Sequence, residues 1–371
     1  MKILVVFTGG TIGSTIKDGY ISPNSSEGKY AIMEMFKKIQ NNPFHDVEFE
    51  FLNPFYILSE NLNGNNIAEL ISCIKNSLVQ FTDIDGIIVT HGTDTLQYSA
   101  AALGLCFSGA NVPIVLVSSN YILTDERANG IENFFYAVKL ICEKKATVKD
   151  DDTFYFGGVY VVYKNENYVD VHYATRLLPH LPYSDFVFSV KNLLYGSFAG
   201  KGESCNMHLN RNSTIHNFSM EYIPFCSNEE EICADTEICN ILLKGASNLT
   251  SQSNVLFIKS HPGQIYPDIN DNVRGILIDS YHSGTLATES SNLPEFIENA
   301  NIKNIPVFVT GIEERTFYES SKLFKVLGLN VLPAASPIAM YIKLWLLCSS
   351  EITDNNALVK YMKTNAGNEF V

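Results

Sequence analysis

The sequence predicts an α/β fold in which a mainly parallel sheet is flanked by helices, with a larger amino-terminal domain and a smaller carboxyl-terminal α/β domain. Two observations lead to this prediction. Short apolar runs, too brief to be helices, recur along the chain, and longer segments with apolar residues three and four positions apart lie between several of them. Such runs are typical of strands buried on both faces, and their alternation with amphipathic helices indicates a parallel sheet.

The apolar runs are the predicted strands. They lie at residues 3–7, 86–90, 113–119, 159–163, 255–260, 275–280 and 306–310. The segments with helical spacing are the predicted helices, each with one buried face. They lie at residues 65–81, 95–107, 128–144 and 336–348.

One long segment breaks this alternation. Residues 196–254 are rich in Asn and Ser, contain an acidic run at 228–237 and lose strong periodicity. These features are typical of a linker or an elaborated loop. The sequence therefore predicts an amino-terminal domain at 1–195, this linker, and a carboxyl-terminal domain at 255–371.

Composition and charge exclude several classes of protein. Of the 371 residues, 46% are hydrophobic and 18% are charged, which is typical of a globular protein and not of a disordered one. The 26 Lys and Arg residues against 40 Asp and Glu residues give a net charge of −14, so a nucleic acid or an anionic membrane would be repelled. We therefore expect neither as a partner.

Other features predict a cytoplasmic protein without a metal or another cofactor. No segment is long and apolar enough to span a membrane, and the amino end does not have the pattern of a signal peptide. The eight Cys residues are scattered without a C-x-x-C pair, which favours free thiols in a reducing compartment. Four His residues lack the paired spacing of a zinc site. These are His172, His180, His261 and His282.

Two polar clusters directly follow two of the predicted strands. The motif TGGTIG (8–13) follows strand 3–7, and HGTDT (91–95) follows strand 86–90. Ligand sites in parallel sheets lie outside the carboxyl ends of the strands, so both clusters are expected at the ligand-binding edge. The glycine spacing of the first motif is not that of a dinucleotide-binding loop, and it lacks the Lys of a phosphate loop. Nucleotide binding is therefore only weakly supported.

The hydroxyl and carboxyl groups of these clusters have a structural and a functional interpretation. Thr11 could cap or pack, and Thr93 or Asp94 could cap the helix that follows, which is worth about 1 kcal/mol. The combination favours chemistry, because a hydroxyl and a carboxylate on one strand end would face a second hydroxyl on another. That is the arrangement of a nucleophile with a polar relay.

Taken together, TGGTI and HGTDT resemble the two signatures of the bacterial-type L-asparaginase and glutaminase family, closest to its cytoplasmic type I members. The segment 123–138 extends the resemblance through most of the amino-terminal domain, which would be the catalytic domain. The resemblance implies that Thr11 attacks the side-chain amide carbon of L-asparagine or L-glutamine, forming an acyl-enzyme and ammonia. Tyr20 would close over Thr11 on a mobile loop.

The resemblance also implies the remaining roles in the site. The backbone N–H of Thr93 would stabilise the oxyanion. Ser59 and Glu60 would hold the α-carboxylate and α-amino group of the substrate, and Asp94 would share the ammonium. Which of the two amides is preferred stays open, since one methylene changes discrimination by only about 1–3 kcal/mol.

Two of the departures from the family pattern bear directly on the site. Where the family has a relay Lys that joins the second Thr and the Asp, alignment of residues 165–176 puts Arg176. A guanidinium cannot take a proton, so we expect Arg176→Lys to raise turnover. In the segment HSGT (282–285), Thr285 replaces the Asn that a neighbouring subunit would offer to the substrate. Since family members are usually tetramers of tight dimers, we expect a homodimer or homotetramer.

Three functions remain open from the sequence. The first is an L-asparaginase-like amidohydrolase. The second is a catalytically impaired homologue that binds an amino acid as a sensor or partner protein, which Arg176 favours. The third is the amidase subunit of a complex for tRNA-dependent glutamate amidation. It is placed last, because such subunits usually have an extra domain before the first motif, which here begins at residue 8.

Overall fold

The computed structural model describes residues 1–17, 20–23, 25–150, 157–199, 221–224, 236–288, 292–311, 318 and 321–371. Within these ranges the helices are α1 (Ser25–Lys38), α2 (Gly64–Gln80), α3 (Leu96–Phe107), α4 (Gly130–Asp150), α5 (Thr236–Ser247), α6 (Leu293–Ile302), α7 (Ser321–Val326), α8 (Pro337–Ser349) and α9 (Asn355–Met362). No helix in these ranges is both long enough and apolar enough to cross a membrane.

The strands form two sheets and one hairpin. The first sheet contains β1 (Lys2–Phe7), β4 (Glu48–Leu52), β5 (Gly86–Thr90), β6 (Ile114–Val117), β7 (Val159–Asn165), β8 (Tyr168–Tyr173), β9 (Gly196–Ala199) and β10 (Glu221–Pro224). The second contains β11 (Val255–Lys259), β12 (Gly275–Asp279), β13 (Val307–Thr310) and β14 (Asn330–Val331). The hairpin pairs β2 (Ser14–Lys17) with β3 (Tyr20–Pro23).

The strand order of the first sheet fixes the position of a ligand site. The order is β10-β9-β8-β7-β6-β5-β1-β4, and β4, β1, β5, β6 and β7 are parallel. From β1 the chain goes outwards to β4 on one side, and the later strands are added from β5 on the other side. The order therefore reverses between β1 and β5. At such a switch point the two connections diverge and leave a crevice at the carboxyl ends of the strands.

The central strands are buried on both faces, as their apolar runs predict. Alternate residues of β1, β5 and β6 belong to two apolar clusters, one under α2 and α3 and the other under α1 and α4. Helices on both faces of a parallel sheet confirm the predicted fold class.

The second sheet is parallel throughout and shares a core with the first. Its strand order is β11-β12-β13-β14. Helix α8 packs on β11 and β12 and also on α3 and α5, so one apolar cluster extends from Leu4 to Leu277 and Trp345. The approach of α5 to α8 is close, because a Cβ at Gly245 would lie 1.8 Å from the carbonyl oxygen of Leu346.

The structure differs from the sequence prediction at residues 196–254. Strands β9 and β10 add to the edge of the first sheet, and α5 packs against the core, so the described parts of this segment are not only a linker or loop. The sequence GSFA of β9 has only two apolar side chains that could signal a strand. Pairing with β8 and β10, which depends on distant residues, determines its conformation.

The carboxyl-terminal segment after α9 is tied to both halves of the molecule. Lys343 of α8 forms an ion pair with Glu369 at 2.6 Å, and both side chains are fully buried. Glu369 also accepts hydrogen bonds from the amides of Ala366 and Gly367. Thr175, which follows β8, donates to the carbonyl oxygen of Gly367 at 2.7 Å.

Candidate functional site

The loop after β1 is held tightly at the switch point. The hydroxyl of Thr8 donates to the carbonyl oxygen of Thr90 at 2.8 Å, which joins the ends of β1 and β5. The amide of Gly10 donates to the carbonyl oxygen of Ile57 at 2.9 Å. Gly9 has a φ of +102°, and a Cβ there would lie 2.2 Å from the same oxygen. Only glycine fits this backbone conformation without strain.

The two sequence motifs meet through their glycines. A Cβ at Gly10 would lie 2.3 Å from the backbone nitrogen of Gly92, and a Cβ at Gly92 would lie 2.4 Å from Oγ of Ser59. Three loops are therefore in direct contact: TGGTIG after β1, the turn Ser59–Asn61 before α2, and HGTDT after β5. Thr11 follows Gly10 and begins a short 3₁₀ turn, and its side chain is half-buried.

Ser59 and Asp94 form one wall of this site. Ser59 is buried, and its hydroxyl donates to Oδ2 of Asp94 at 3.3 Å. Its carbonyl oxygen accepts from the hydroxyl of Thr95 at 2.9 Å, which ties the turn to the start of α3. Asp94 and Glu60 are exposed, so two carboxylates border the site. A positively charged ammonium would be attracted to this border.

Backbone amides at the start of α3 supply hydrogen-bond donors. Within the described ranges, the amides of Gly92, Thr93 and Asp94 donate to no acceptor of the chain, while the carbonyl oxygen of Thr93 accepts from Leu96. The amino end of a helix favours negative charge, because its free N–H groups and dipole point outwards. An oxyanion or a carboxylate would be stabilised here.

No protein base contacts Thr11 among the described residues. Its hydroxyl forms no hydrogen bond with them. Tyr20, the first residue of β3, pairs with Lys17 and is 78% exposed, so it does not cover a closed cavity. The turn of the hairpin at residues 18–19 lies outside the described residues.

The structure places Arg176 away from the relay role that the alignment suggests. Strand β8 runs antiparallel to β7, so it leads the chain back from the carboxyl edge, and Tyr173 lies opposite Tyr160. The guanidinium of Arg176 donates from Nε to the carbonyl oxygen of Asn368 at 2.7 Å and from Nη2 to that of Phe370 at 3.4 Å. The carboxylate of Asp94 accepts instead from the hydroxyl of Ser59.

This position changes the expected effect of a substitution. Arg176→Lys should leave turnover unchanged and lower the free energy of unfolding by about 1 kcal/mol, because Lys cannot reproduce both hydrogen bonds to the carboxyl-terminal segment. Steady-state ammonia release and urea titration of the two proteins would check it. A clear rise in turnover would contradict this expectation and support a relay role for Arg176.

A chain of hydrogen bonds supports the carboxyl edge of the sheet, and it was not predicted from the sequence. We call this chain, from Lys164 through Asn133 and Ser118 to His91, the framework. The side chain of Asn133, in α4, accepts from the amide of Lys164 at 2.7 Å and donates to the carbonyl oxygen of Ser118 at 2.8 Å. The hydroxyl of Ser118 then donates to the carbonyl oxygen of His91 at 2.7 Å. Asn133, at the end of the segment ANGIEN (128–133), was the only sequence signal for this connection.

Asn133→Ala should lower the free energy of unfolding by about 1–3 kcal/mol, because it leaves the Lys164 amide and the Ser118 carbonyl without a partner in a buried place. Urea titration measures the change. Asn65→Ala, at an exposed position of α2, is the matched control and should change stability by less than about 0.5 kcal/mol. Equal stability of the two variants would show that the framework does not hold the edge.

Thr285 lies beyond the carboxyl end of β12, in the second sheet. Its hydroxyl contacts that of Ser283 at 3.2 Å, and its carbonyl oxygen accepts from the amide of Tyr281 at 3.0 Å. In the part of the chain that the structure describes, no group of three or more His, Cys, Asp or Glu side chains is arranged to hold a metal ion.

The chain is similar in sequence to several known proteins. Residues 2–177 match the family model for the amino-terminal part of asparaginases. The chain is 25% identical to a glutamyl-tRNA(Gln) amidotransferase subunit of Methanosphaera stadtmanae over 99% of its own length and 76% of that protein. It is 31% identical to the glutaminase-asparaginase of Pseudomonas aeruginosa over 40% of each chain.

Solved structures share the whole fold. The thermostable L-asparaginase of Thermococcus kodakarensis superposes with a TM-score of 0.67 and 21% identity, covering 100% of this chain and 99% of that one. L-asparaginase I of Vibrio cholerae superposes with a TM-score of 0.66 and 17% identity over the same shares. At these identities the likeness establishes the fold alone.

Proposed function

Because the chain is a divergent member of the asparaginase family, we propose that it is an amidohydrolase that releases ammonia from L-asparagine. The observation that carries the proposal is the contact of Gly10 with Gly92 at the switch point. This contact supports convergence of Thr11 and Thr93 on one small ligand. L-Glutamine is the second amide to test.

In the proposed reaction Oγ of Thr11 attacks the side-chain amide carbon, and its proton leaves with the departing ammonia. The backbone N–H of Thr93 stabilises the oxyanion of the tetrahedral intermediate, and water then hydrolyses the acyl-enzyme to L-aspartate. Tyr20 closes over Thr11 once substrate is bound. The support for these roles is the position of both loops at the carboxyl edge.

The wall formed by Ser59 and Asp94, together with the neighbouring Glu60, recognises the amino acid in this proposal. The hydroxyl of Ser59 binds the α-carboxylate, and the carboxylates of Glu60 and Asp94 bind the α-ammonium. Their support is the hydrogen bond from Ser59 to Asp94 and the negative charge of both carboxylates. A substrate without an α-ammonium should bind poorly, since it leaves this charge unpaired.

The test is ammonia release by the purified protein from L-asparagine, L-glutamine, D-asparagine and succinamic acid, which is asparagine without its α-ammonium. We expect release from L-asparagine with kcat in the ordinary range of about 1–10³ s⁻¹, and little from the last two compounds. Binding of L-aspartate without release of ammonia from any amide would contradict hydrolysis and support an amino-acid sensor.

A second candidate function is suggested by the relatives. Several are named as subunits of glutamyl-tRNA(Gln) amidotransferases, and three of them match over 99–100% of this chain. In this role the ammonia would pass to a partner protein, and the partner would bind the tRNA, because this chain carries a charge of −14. Release that stays well below about 1 s⁻¹ until a partner is added would favour this function.

Assembly and location belong to the same proposal. A homodimer or homotetramer is supported by the resemblance to the family. A cytoplasmic location is supported by five free thiols in the described ranges and by the similar fold of a probable cytoplasmic L-asparaginase from Campylobacter jejuni. Light scattering of the purified protein measures the assembly.

A further inference from the structure

His91 is fully buried at the carboxyl end of β5, and every polar atom it offers is used. Its amide donates to the carbonyl oxygen of Val117 at 2.9 Å, and its carbonyl oxygen accepts from the hydroxyl of Ser118 at 2.7 Å. Of the ring nitrogens, Nδ1 lies 2.8 Å from the carbonyl oxygen of Gly92, and Nε2 lies 2.8 Å from Oγ of Ser99.

These partners determine the tautomer of the ring. A carbonyl oxygen only accepts, so Nδ1 carries the proton and donates to Gly92. The hydroxyl of Ser99 can then donate to the lone pair of Nε2. Burial lowers the pKa of His91, which keeps the ring neutral with one N–H and one lone pair.

The hydrogen bond to Gly92 has a consequence for Thr93. The carbonyl of Gly92 and the N–H of Thr93 belong to one peptide unit, and in a trans peptide they point in opposite directions. With the oxygen held towards the buried ring, the N–H of Thr93 points away from the core. The backbone of Gly10 also packs closely on Gly92, because a Cβ at Gly10 would lie 2.4 Å from the Cα of Gly92, and this contact limits rotation of the peptide further.

We propose that His91 is a positioning residue, which holds the Gly92–Thr93 peptide so that the Thr93 N–H meets the oxyanion. The inference rests on the proposed amide hydrolysis and adds a requirement to it. A free peptide could rotate and lose this donor, whereas a donor that is fixed in advance needs no reorganisation during the reaction. Ser99 supports His91 by occupying Nε2.

Two substitutions of His91 by residues with amide side chains distinguish this positioning role from simple packing. In His91→Asn the amide nitrogen takes the place of Nδ1 and can still donate to Gly92, whereas in His91→Gln it takes the place of Nε2. We expect kcat on L-asparagine to stay within about threefold of wild type for His91→Asn and to fall roughly 10- to 100-fold for His91→Gln, with little change in KM, since full loss of such a donor costs about 10²–10³-fold. Equal losses in both variants, or losses that follow KM, would overturn the proposal.

A measurement on the wild-type protein makes the test independent of variant folding and of turnover. Nitrogen-15 NMR should show a protonated Nδ1 and an unprotonated Nε2 in His91, and L-aspartate should shift the Thr93 amide resonance. A protonated Nε2, or an unmoved Thr93 amide in protein that binds L-aspartate, would overturn the positioning role. Absence of ammonia release with the expected tautomer and shift would contradict only the proposed hydrolysis.

Discussion

Thr11→Ala should reduce kcat for ammonia release by roughly 10³-fold or more while L-aspartate still binds with an affinity close to that of wild type. The substitution removes the only atom that we assign to nucleophilic attack, but it leaves the Ser59 and Asp94 wall and the amides of α3 intact. Steady-state ammonia release and isothermal titration with L-aspartate measure the two quantities.

Two further variants serve as controls for Thr11→Ala. Thr82 is exposed and precedes β5, so it lies at the opposite edge of the sheet from the site. The variant Thr82→Ala should therefore retain wild-type kcat. Thr11→Ser keeps a hydroxyl and should retain measurable turnover. Wild-type activity in Thr11→Ala would remove Thr11 from the nucleophile role, and loss of L-aspartate binding as well would indicate a structural role instead.

Lys343→Met should lower the free energy of unfolding by about 3–5 kcal/mol, which is the largest effect on stability that we expect. The substitution leaves the carboxylate of Glu369 buried without its cation, because both side chains are fully buried. Burial lowers the pKa of Lys343, so the ion pair offsets an unfavourable environment for charge. Urea titration monitored by circular dichroism measures the change.

A matched control separates burial from charge. Lys244 forms an ion pair with Glu351, and the two side chains are 51% and 72% exposed. Lys244→Met should therefore change the free energy of unfolding by less than about 1 kcal/mol. Similar losses in the two variants would contradict the view that the buried pair anchors the carboxyl-terminal segment.

The sequence predicted the elements that depend on local pattern. Buried strands such as β5 have continuous apolar runs, and the helices α2 and α8 repeat apolar residues at helical spacing, so both were found within a few residues of their ends. The two motifs were placed at one edge because parallel strands end together. Their contact through Gly10 and Gly92 agrees with that prediction.

The parts that depend on distant partners were not predicted. The edge strands β9 and β10 pair with residues far from themselves, and their short sequences carry little signal. Arg176 matched a motif position, but the antiparallel β8 leads it to the carboxyl-terminal carbonyls. His91 was treated as part of a motif, because its hydrogen bond to Gly92 depends on a ring orientation that no sequence pattern specifies.

A crystal structure of the protein with L-aspartate tests most directly whether Thr11 and Thr93 share one ligand. The side-chain carboxylate of L-aspartate should lie within hydrogen-bonding distance of Oγ of Thr11 and the amide of Thr93, with its α-carboxylate on Ser59 and its ammonium on Asp94. Binding of L-aspartate elsewhere, or a ligand that contacts one threonine while the other points away, would contradict the account.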